Sequence, residues 1–320
     1  MNHLRIIVAV AIFLMLSGIA SEGIAQGFKG KSSVTGQKFK VHKKPIKKKP
    51  LNYINSLQIV AGAGPTTYYG DLCDGLDCYI PRWGASVGAQ YRINELMSVR
   101  TELNYIRLAA NDSYGSNVGR NLGFRSDNYE LSAVVIGEIF RYNKMYRRRH
   151  VISPYYFTGF GFVSYNPYGQ DPLDDSWVAL RQLQTEGIAY SNFAFTVPYG
   201  LGVRFKVNPV LNVSTEFGYR WTFTDYIDDV SNTYADQGGL SEQARRLSNK
   251  QLAGPDYSLS REEYDPTYDA SGFKRGNPNR NDGYFMLAIK AEYTIKVTRQ
   301  HYNINSNVSR FRTIKSVKKK

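Results

Sequence analysis

The chain has 320 residues, with 41 Lys and Arg against 27 Asp and Glu, two cysteines and 14% aromatic residues. A formal charge of +14 suggests a nucleic-acid binder until it is mapped: residues 26–50 hold nine lysines and no acid, 298–320 hold seven Lys or Arg and no acid, and the rest sits near −2. The charge therefore lies in two basic tails around a near-neutral body, so nucleic acid is not an expected partner.

The chain opens MNHLRIIVAVAIFLMLSGIASEGIAQ, with His3 and Arg5 ahead of an apolar run from Ile6 to Leu16 and small residues after it. Residues 1–25 thus have the build of a secretory signal peptide, with cleavage after Ala20 or Ala25; a buried N-terminal helix is the alternative. Residues 26–55 form a basic segment without the apolar content to fold alone, holding Lys43, Lys44, Lys47, Lys48 and Lys49. Beyond the leader no run of about eighteen apolar residues offers a transmembrane helix. The mean hydropathy of −0.41 suits a soluble protein or a membrane β-barrel, whose strands are apolar on one face only.

From residue 56 onward the pattern changes to strict alternation. SLQIVAGAGPTTYYG (56–70) is a Gly-rich candidate strand, followed by GDLCDGLDCYIP with Cys73 and Cys78. In an oxidising compartment that pair is expected to form a local disulfide rather than a metal site, since no His stands near Asp71, Asp74 and Asp77. WGASVGAQYRIN (83–94) puts Trp83, Val87, Tyr91 and Ile93 on one face. LMSVRTELNYIRL (96–108) sets Met97, Val99, Leu103 and Tyr105 against Arg100, Glu102 and Asn104. In FRSDNYELSAVVIGEIFRY (124–142), Tyr129, Leu131 and Val135 oppose Glu130 and Glu138. SPYYFTGFGFVSYNPY (153–168) is a second Gly-rich candidate. YSNFAFTVPYGLGVRFKV (190–207) alternates Phe193 to Phe205 against Arg204 and Lys206. VLNVSTEFGYRWTFTDY (210–226) sets Leu211, Val213, Phe217, Tyr219, Trp221 and Phe223 against Glu216 and Arg220. The last stretch, DGYFMLAIKAEYTIKV (282–297), opposes Phe285, Leu287 and Ile289 to Lys290 and Glu292.

Those eight stretches exceed the five or six residues usual for strands, and nine to eleven tilted residues cross a bilayer. Their connections alternate: INEL, NKMYRRRHVI and Asn208-Pro209 are short, whereas 71–82, 109–123, 169–189 and 227–281 are longer. Short turns at one end and long loops at the other is the arrangement of an outer-membrane barrel. The fold class is therefore all-β: an eight-stranded antiparallel transmembrane β-barrel over 56–297, with basic tails at 26–55 and 298–320. A soluble sandwich or lipocalin-like barrel is the alternative, but eight faces rich in Phe and Tyr would overfill it. With an even strand count both tails are expected in the periplasm, the C-terminal one carrying Lys318, Lys319 and Lys320 and the connection at 143–152 carrying Arg147, Arg148 and Arg149. These cations are candidates for contacts with acidic partner surfaces or anionic lipid, or are simply solvated.

Turning the apolar faces to lipid sends Arg100, Glu102, Glu130, Glu138, Arg204, Glu216, Arg220, Lys290 and Glu292 inward. Side chains fill an eight-stranded barrel, and opposite charges packed there should pair. The expectation is a closed plug, not a pore. Glu216 and Arg220 lie four apart on one polar face, with Lys290 and Glu292 two apart on the polar face of the last strand, and Arg220→Ala is expected to destabilise the barrel without opening a conductance. Enzymatic chemistry is not expected. The histidines are His3, His42, His150 and His301, all in the leader, the tails or a short connection. The acidic TDYIDD run, with Asp225, Asp228 and Asp229, reads as solvated loop carboxylates or an occasional calcium binder. No P-loop, HExxH or CxxC framework occurs, and no cofactor or resident metal is implied.

Several segments together resemble a known family: YYGDL (68–72), NLGFRSDNYELSAVV (121–135), SPYYFTGFGFVSYNP (153–167), LQTEGIAY (183–190), VPYGLGVRFKV (197–207), EFGYRWTFTDYIDDVSNTYAD (216–236) and RGNPNRNDGYFM, which ends at Met286. They are similar, in this order, to the PorG-like outer-membrane β-barrel proteins of Bacteroidota associated with the type IX secretion system. The resemblance implies an integral outer-membrane subunit that holds periplasmic ring components, and with them the translocon, at the membrane. The two basic tails extend beyond the core of that family. From another class comes a stand-alone surface barrel that binds an external ligand or matrix through loop 227–281.

Overall fold

Alternation carries through eight long strands because each must present one face to lipid and the other to the interior. The computed structural model describes residues 51–75, 78–115, 117–143, 145–250 and 271–299, with side chains described within 53–295; all belong to one unit, Lys48–Lys320. The long strands are β1 (Leu51–Tyr69), β2 (Arg82–Arg92), β3 (Met97–Asn111), β4 (Gly123–Glu138), β5 (Ile152–Ser164), β8 (Phe193–Lys206), β9 (Leu211–Thr222) and β10 (Gly283–Arg299). A hairpin of β6 (Pro167–Gln170) and β7 (Trp177–Ala179), a short α1 (Leu180–Leu183) and α2 (Glu242–Ser248) lie in the long connections. Each long strand pairs antiparallel with the next, and β10 pairs back onto β1, so the sheet closes. Closure leaves no unpaired edge in contact with hydrocarbon.

The sides are sorted inversely to those of a soluble barrel. Outward Leu103, Phe217 and Ile289 are 52%, 53% and 61% exposed, while inward Arg100, Gln90 and Glu292 are 1%, 0% and 0% exposed. Aromatic side chains ring the loop end of the wall. Tyr219 packs against Phe285 at 4.6 Å and Tyr199 at 5.6 Å, Phe223 against Trp221 at 4.7 Å and Phe195 at 5.2 Å, and Tyr105 lies 5.5 Å from Tyr129. Such rings, apolar in body and polar at the tip, suit the boundary between hydrocarbon and head groups.

Two of the short turns are written in single residues. Asn94 Oδ1 accepts from the backbone N–H of Leu96 and Met97, and Asn208 Oδ1 from Val210 and Leu211, at 2.7–2.9 Å. An Asn side chain that mimics a backbone turn closes the hairpin without lengthening it. Inside, close approach decides one glycine: a Cβ on Gly202 would stand 2.4 Å from Cζ of Tyr155, whose ring lies across it.

Several strand boundaries differ from the sequence reading; β4 and β9 each stop four residues early, at Glu138 and Thr222. β1 starts at Leu51, five residues before the alternation, because Asn55 takes φ 59° and the β1–β10 register shifts between Asn52 and Leu57. A bulge there breaks the period of two. The stretch expected to run to residue 168 stops at Ser164; the chain then leaves β8 and resumes as β6 beside β4, with Asn166 N–H donating to Ser126 Oγ.

Candidate functional site

The polar interior runs as layers along the barrel. Nearest the short turns, Arg92 stacks 3.5 Å over the ring of Tyr142, Arg149 lies 3.7 Å over Tyr53, and Arg149 also donates to the Tyr142 hydroxyl. Above them Glu138 pairs with Arg92 at 2.9 Å and with Arg204, which reaches Glu292 at 2.6 Å. In the next layer Arg100 donates to both oxygens of Glu216, at 2.6 and 2.9 Å. Lys290 bridges Glu216 at 2.8 Å and Glu102 at 2.6 Å, and Tyr155 donates to Glu216 at 2.6 Å. Higher still, Glu130 accepts from Asn104 at 2.9 Å and from Tyr284, while Arg220 Nε stands 3.9 Å away.

All nine inward charged residues expected from the alternation occupy this interior, but their pairing differs from the in-strand arrangement. Positions four apart on a strand are separated by about 13 Å, whereas facing walls of a small barrel lie within reach of long side chains. Glu216 therefore finds Arg100, four strands away around the barrel, and Lys290 on the adjacent β10; Arg220 approaches Glu130 instead. Arg92, which the sequence reading missed, brings the strand-borne set to five cations and five carboxylates; its even position on β2, opposite the apolar face, was the signal that could have found it. A water-wide channel would leave accessible area on these groups, yet Gln58, Gln90, Arg92, Asn128, Glu130 and Glu292 have 0%. The interior is a filled plug whose strand-borne charges match, with Arg149 a further buried cation held by aromatic rings at the short-turn end.

The long loops fold down onto the barrel mouth as a cap. Leu72, Cys73, Cys78 and Leu122 pack with Ile227 and Val230 against Ile106, Leu108, Phe124 and Val163 of the wall. The Cys73–Cys78 disulfide is formed, with Cα atoms 5.4 Å apart. Arg275 ties the β9–β10 connection to the loop before β8, donating to Glu186 at 2.8 Å and, within its own connection, to Ser248 O at 3.2 Å and to the carbonyl of Asp229. Arg120 donates to both oxygens of Asp112 and to the carbonyls of Asp71 and Arg275. The segments that carry the family resemblance converge here: Tyr68 and Asp71 from YYGDL, Glu186 from LQTEG, Asp225 to Asp229 from TDYIDD, and Arg275 and Asp282 from RGNPNRND.

This overturns the reading of TDYIDD as solvated carboxylates, since Asp225, Asp228 and Asp229 are 7%, 1% and 1% exposed. The apolar loop residues around them supply the cover. Burial pushes the Asp225 carboxyl up to about 8, with Asp71 and Glu186 adding repulsion. Burial also raises Asp228 and Asp282, which share one phenol: Tyr68 Oη lies 2.6 Å from Asp228 and in contact with Asp282. A phenol donates one hydrogen bond, so one of the two carboxyls must carry a proton to complete both contacts.

At the short-turn end Arg147 and Arg148 are exposed on a single 3-10 turn. Arg149 does not join them as a surface cation. Its guanidinium is drawn into the barrel end by the Tyr53 and Tyr142 rings, leaving it 6% exposed. Lys43, Lys44, Lys47, Lys48, Lys49, Lys318, Lys319 and Lys320, and the leader at 1–25, lie outside the described residues.

The folds of several solved outer-membrane barrels are similar to this one at low identity. Neisserial surface protein A is 11% identical, with 75% of this chain and 97% of that one covered and a TM-score of 0.36. Ail of Yersinia pestis is 11% identical, with 76% and 99% covered and a TM-score of 0.36. A major outer membrane protein of Thermus thermophilus is 12% identical, with 75% and 98% covered and a TM-score of 0.37. Among curated proteins none matches the chain. Residues 7–241 match the family model described as the outer membrane protein beta-barrel domain. With more than half its length so matched and its strands closed inside-out, the chain belongs to the outer-membrane β-barrel domain family.

Proposed function

We propose that this barrel is a non-enzymatic outer-membrane subunit of the type IX protein secretion machinery that holds periplasmic ring components against the membrane. The observation that carries the reading is the filled interior: a barrel with no water column works through its surfaces. The role implied by the resemblance, a hold on periplasmic components, directs attention to the surface at the chain ends. The paired ends of β1 and β10, Leu51 opposite Arg299, lie at the end with the short turns. Leu51 and Arg299 then mark the barrel end that also carries exposed Arg147 and Arg148, and we place that end in the periplasm. Arg147 and Arg148, with the lysine-rich sequence on either side of the barrel, supply positive charge suited to acidic surfaces of ring proteins.

The test is co-purification. Tagged full-length barrel should capture periplasmic ring proteins, and deleting 28–49 and 299–320 should leave the barrel inserted while weakening that capture. The residual capture should also lose most of its salt sensitivity, since exposed charges are screened beyond about 8 Å at physiological salt. Full-length barrel that brings no ring protein would refute the secretion role and leave a stand-alone barrel acting through its loop end.

A further inference from the structure

A cleft of about 1100 Å³ opens at the outer rim of the loop end, between the start of β2, the upper parts of β3 and β4, and the β6–β7 hairpin. Arg82, Arg107 and Arg125 line it, with Trp177, Tyr79 and Tyr114. Arg107 and Arg125 belong to the outward, lipid-facing sets of their strands: Tyr105 pairs with Tyr129, Arg107 with Asp127 and Ala109 with Arg125.

That register fixes their depth. The Tyr105–Tyr129 pair belongs to the aromatic ring at the edge of the hydrocarbon. At about 3.3 Å per residue and a tilt of 35–45°, Arg107 sits about 5 Å beyond it along the membrane normal and Arg125 about 10 Å. A bilayer's polar zone extends about 5–8 Å beyond the hydrocarbon on each side. Arg107 therefore stands at head-group level, and Arg125 just beyond it, where a long side chain still reaches the phosphates.

The electrostatics leave cations to spare. Asp127 is taken by Arg107 at 2.7 Å and Asp171 by Arg246 at 3.0 Å, and Asp175, the third carboxylate of the lining, accepts from Gln170 at 3.1 Å while Arg82, Arg125 and Lys250 line the same cleft. Among the described residues neither Arg82 nor Arg125 has a carboxylate at ion-pair distance. Arg125 is also held in place, its guanidinium 3.9 Å over the Trp177 ring. Stacking occupies one face of the guanidinium and leaves its N–H edge free for a planar or tetrahedral oxyanion.

We infer that this cleft binds the phosphate of an anionic lipid of the leaflet around the loop end, with Arg82 and Arg125 donating to the phosphate and the aromatic ring bordering the acyl chains. The inference rests on the membrane barrel and is independent of any role in secretion. Native mass spectrometry of the full-length barrel released from detergent, titrated with phosphatidic acid or phosphatidylcholine, provides the test. One phosphatidic acid should be retained in preference to phosphatidylcholine, and the Arg82→Gln/Arg125→Gln variant should bind it more weakly by on the order of tenfold or more. Unchanged heat-modifiable gel migration shows that the variant is folded. Equal retention of the two lipids, or equal affinity in parent and variant, would overturn the inference. Inorganic phosphate should not displace the lipid at millimolar concentration; full displacement would assign the site to free phosphate instead.

Discussion

Glu216→Ala is the sharpest probe of the plugged interior. Glu216 receives two hydrogen bonds from Arg100, one from Tyr155 and the ammonium of Lys290, all within 2.9 Å and 3% exposed. Its removal leaves Arg100 and Lys290 sharing Glu102 alone, one uncompensated positive charge in an enclosed interior. Breaking a buried pair from one side costs about 3–5 kcal/mol. With a urea slope of about 2–3 kcal/mol/M, the unfolding midpoint should fall by about 1–2 M at unchanged slope. Barrel reconstituted in lipid and scored by heat-modifiable gel migration against urea gives that midpoint. A second change tests the cause. Lys290→Met in the Glu216→Ala background restores the count of cations to carboxylates, and should recover part of the loss even though it deletes another side chain. A midpoint within about 0.3 M of the parent for Glu216→Ala, or a double variant weaker than the sum of the singles, would refute charge matching as what holds the interior.

Arg220, whose Nε is 3.9 Å from Glu130, is the loosest of the five cations, and Glu130 keeps Asn104 and Tyr284 as donors. Arg220→Ala should therefore cost less than half of Glu216→Ala in the same urea assay, below about 2 kcal/mol. In planar bilayers the intact barrel should give no stable single-channel current; a reproducible conductance would contradict the filled interior. The cap should depend on pH through Asp225. Its folded pKa, about 8, lies above the unfolded value, so the folded state is the stronger proton binder between them. Cap stability should then be fullest near pH 4 and decline as pH rises toward 8. Amide hydrogen exchange at 223–232 should report that decline, and Asp225→Asn should flatten it; an identical pH profile in the variant would dismiss Asp225 as its source.

The barrel itself was legible in the sequence because lipid imposes a period of two on every strand. Phe217, Tyr219 and Trp221 declared the outer face, and Glu216 and Arg220 the inner one, without reference to any other part of the chain. The turns were legible for the same local reason, each set by a residue such as Asn94 or Asn208. What the sequence could not supply was partnership. Which cation meets Glu216 depends on the register around a closed ring, and only closure brings Arg100 of β3 across from β9. Arg149 sat in a run of three arginines that look alike as sequence, yet the rings of Tyr53 and Tyr142 separate it from its neighbours. The bulge at Asn55 hid the start of β1 by breaking the period that betrayed every other strand. TDYIDD shows most plainly why the two levels differ. Polar loop sequence implies water, but burial is a property of what lies above and below a residue, and here four loops and the barrel mouth, distant in sequence, enclose those carboxylates and raise their affinity for protons.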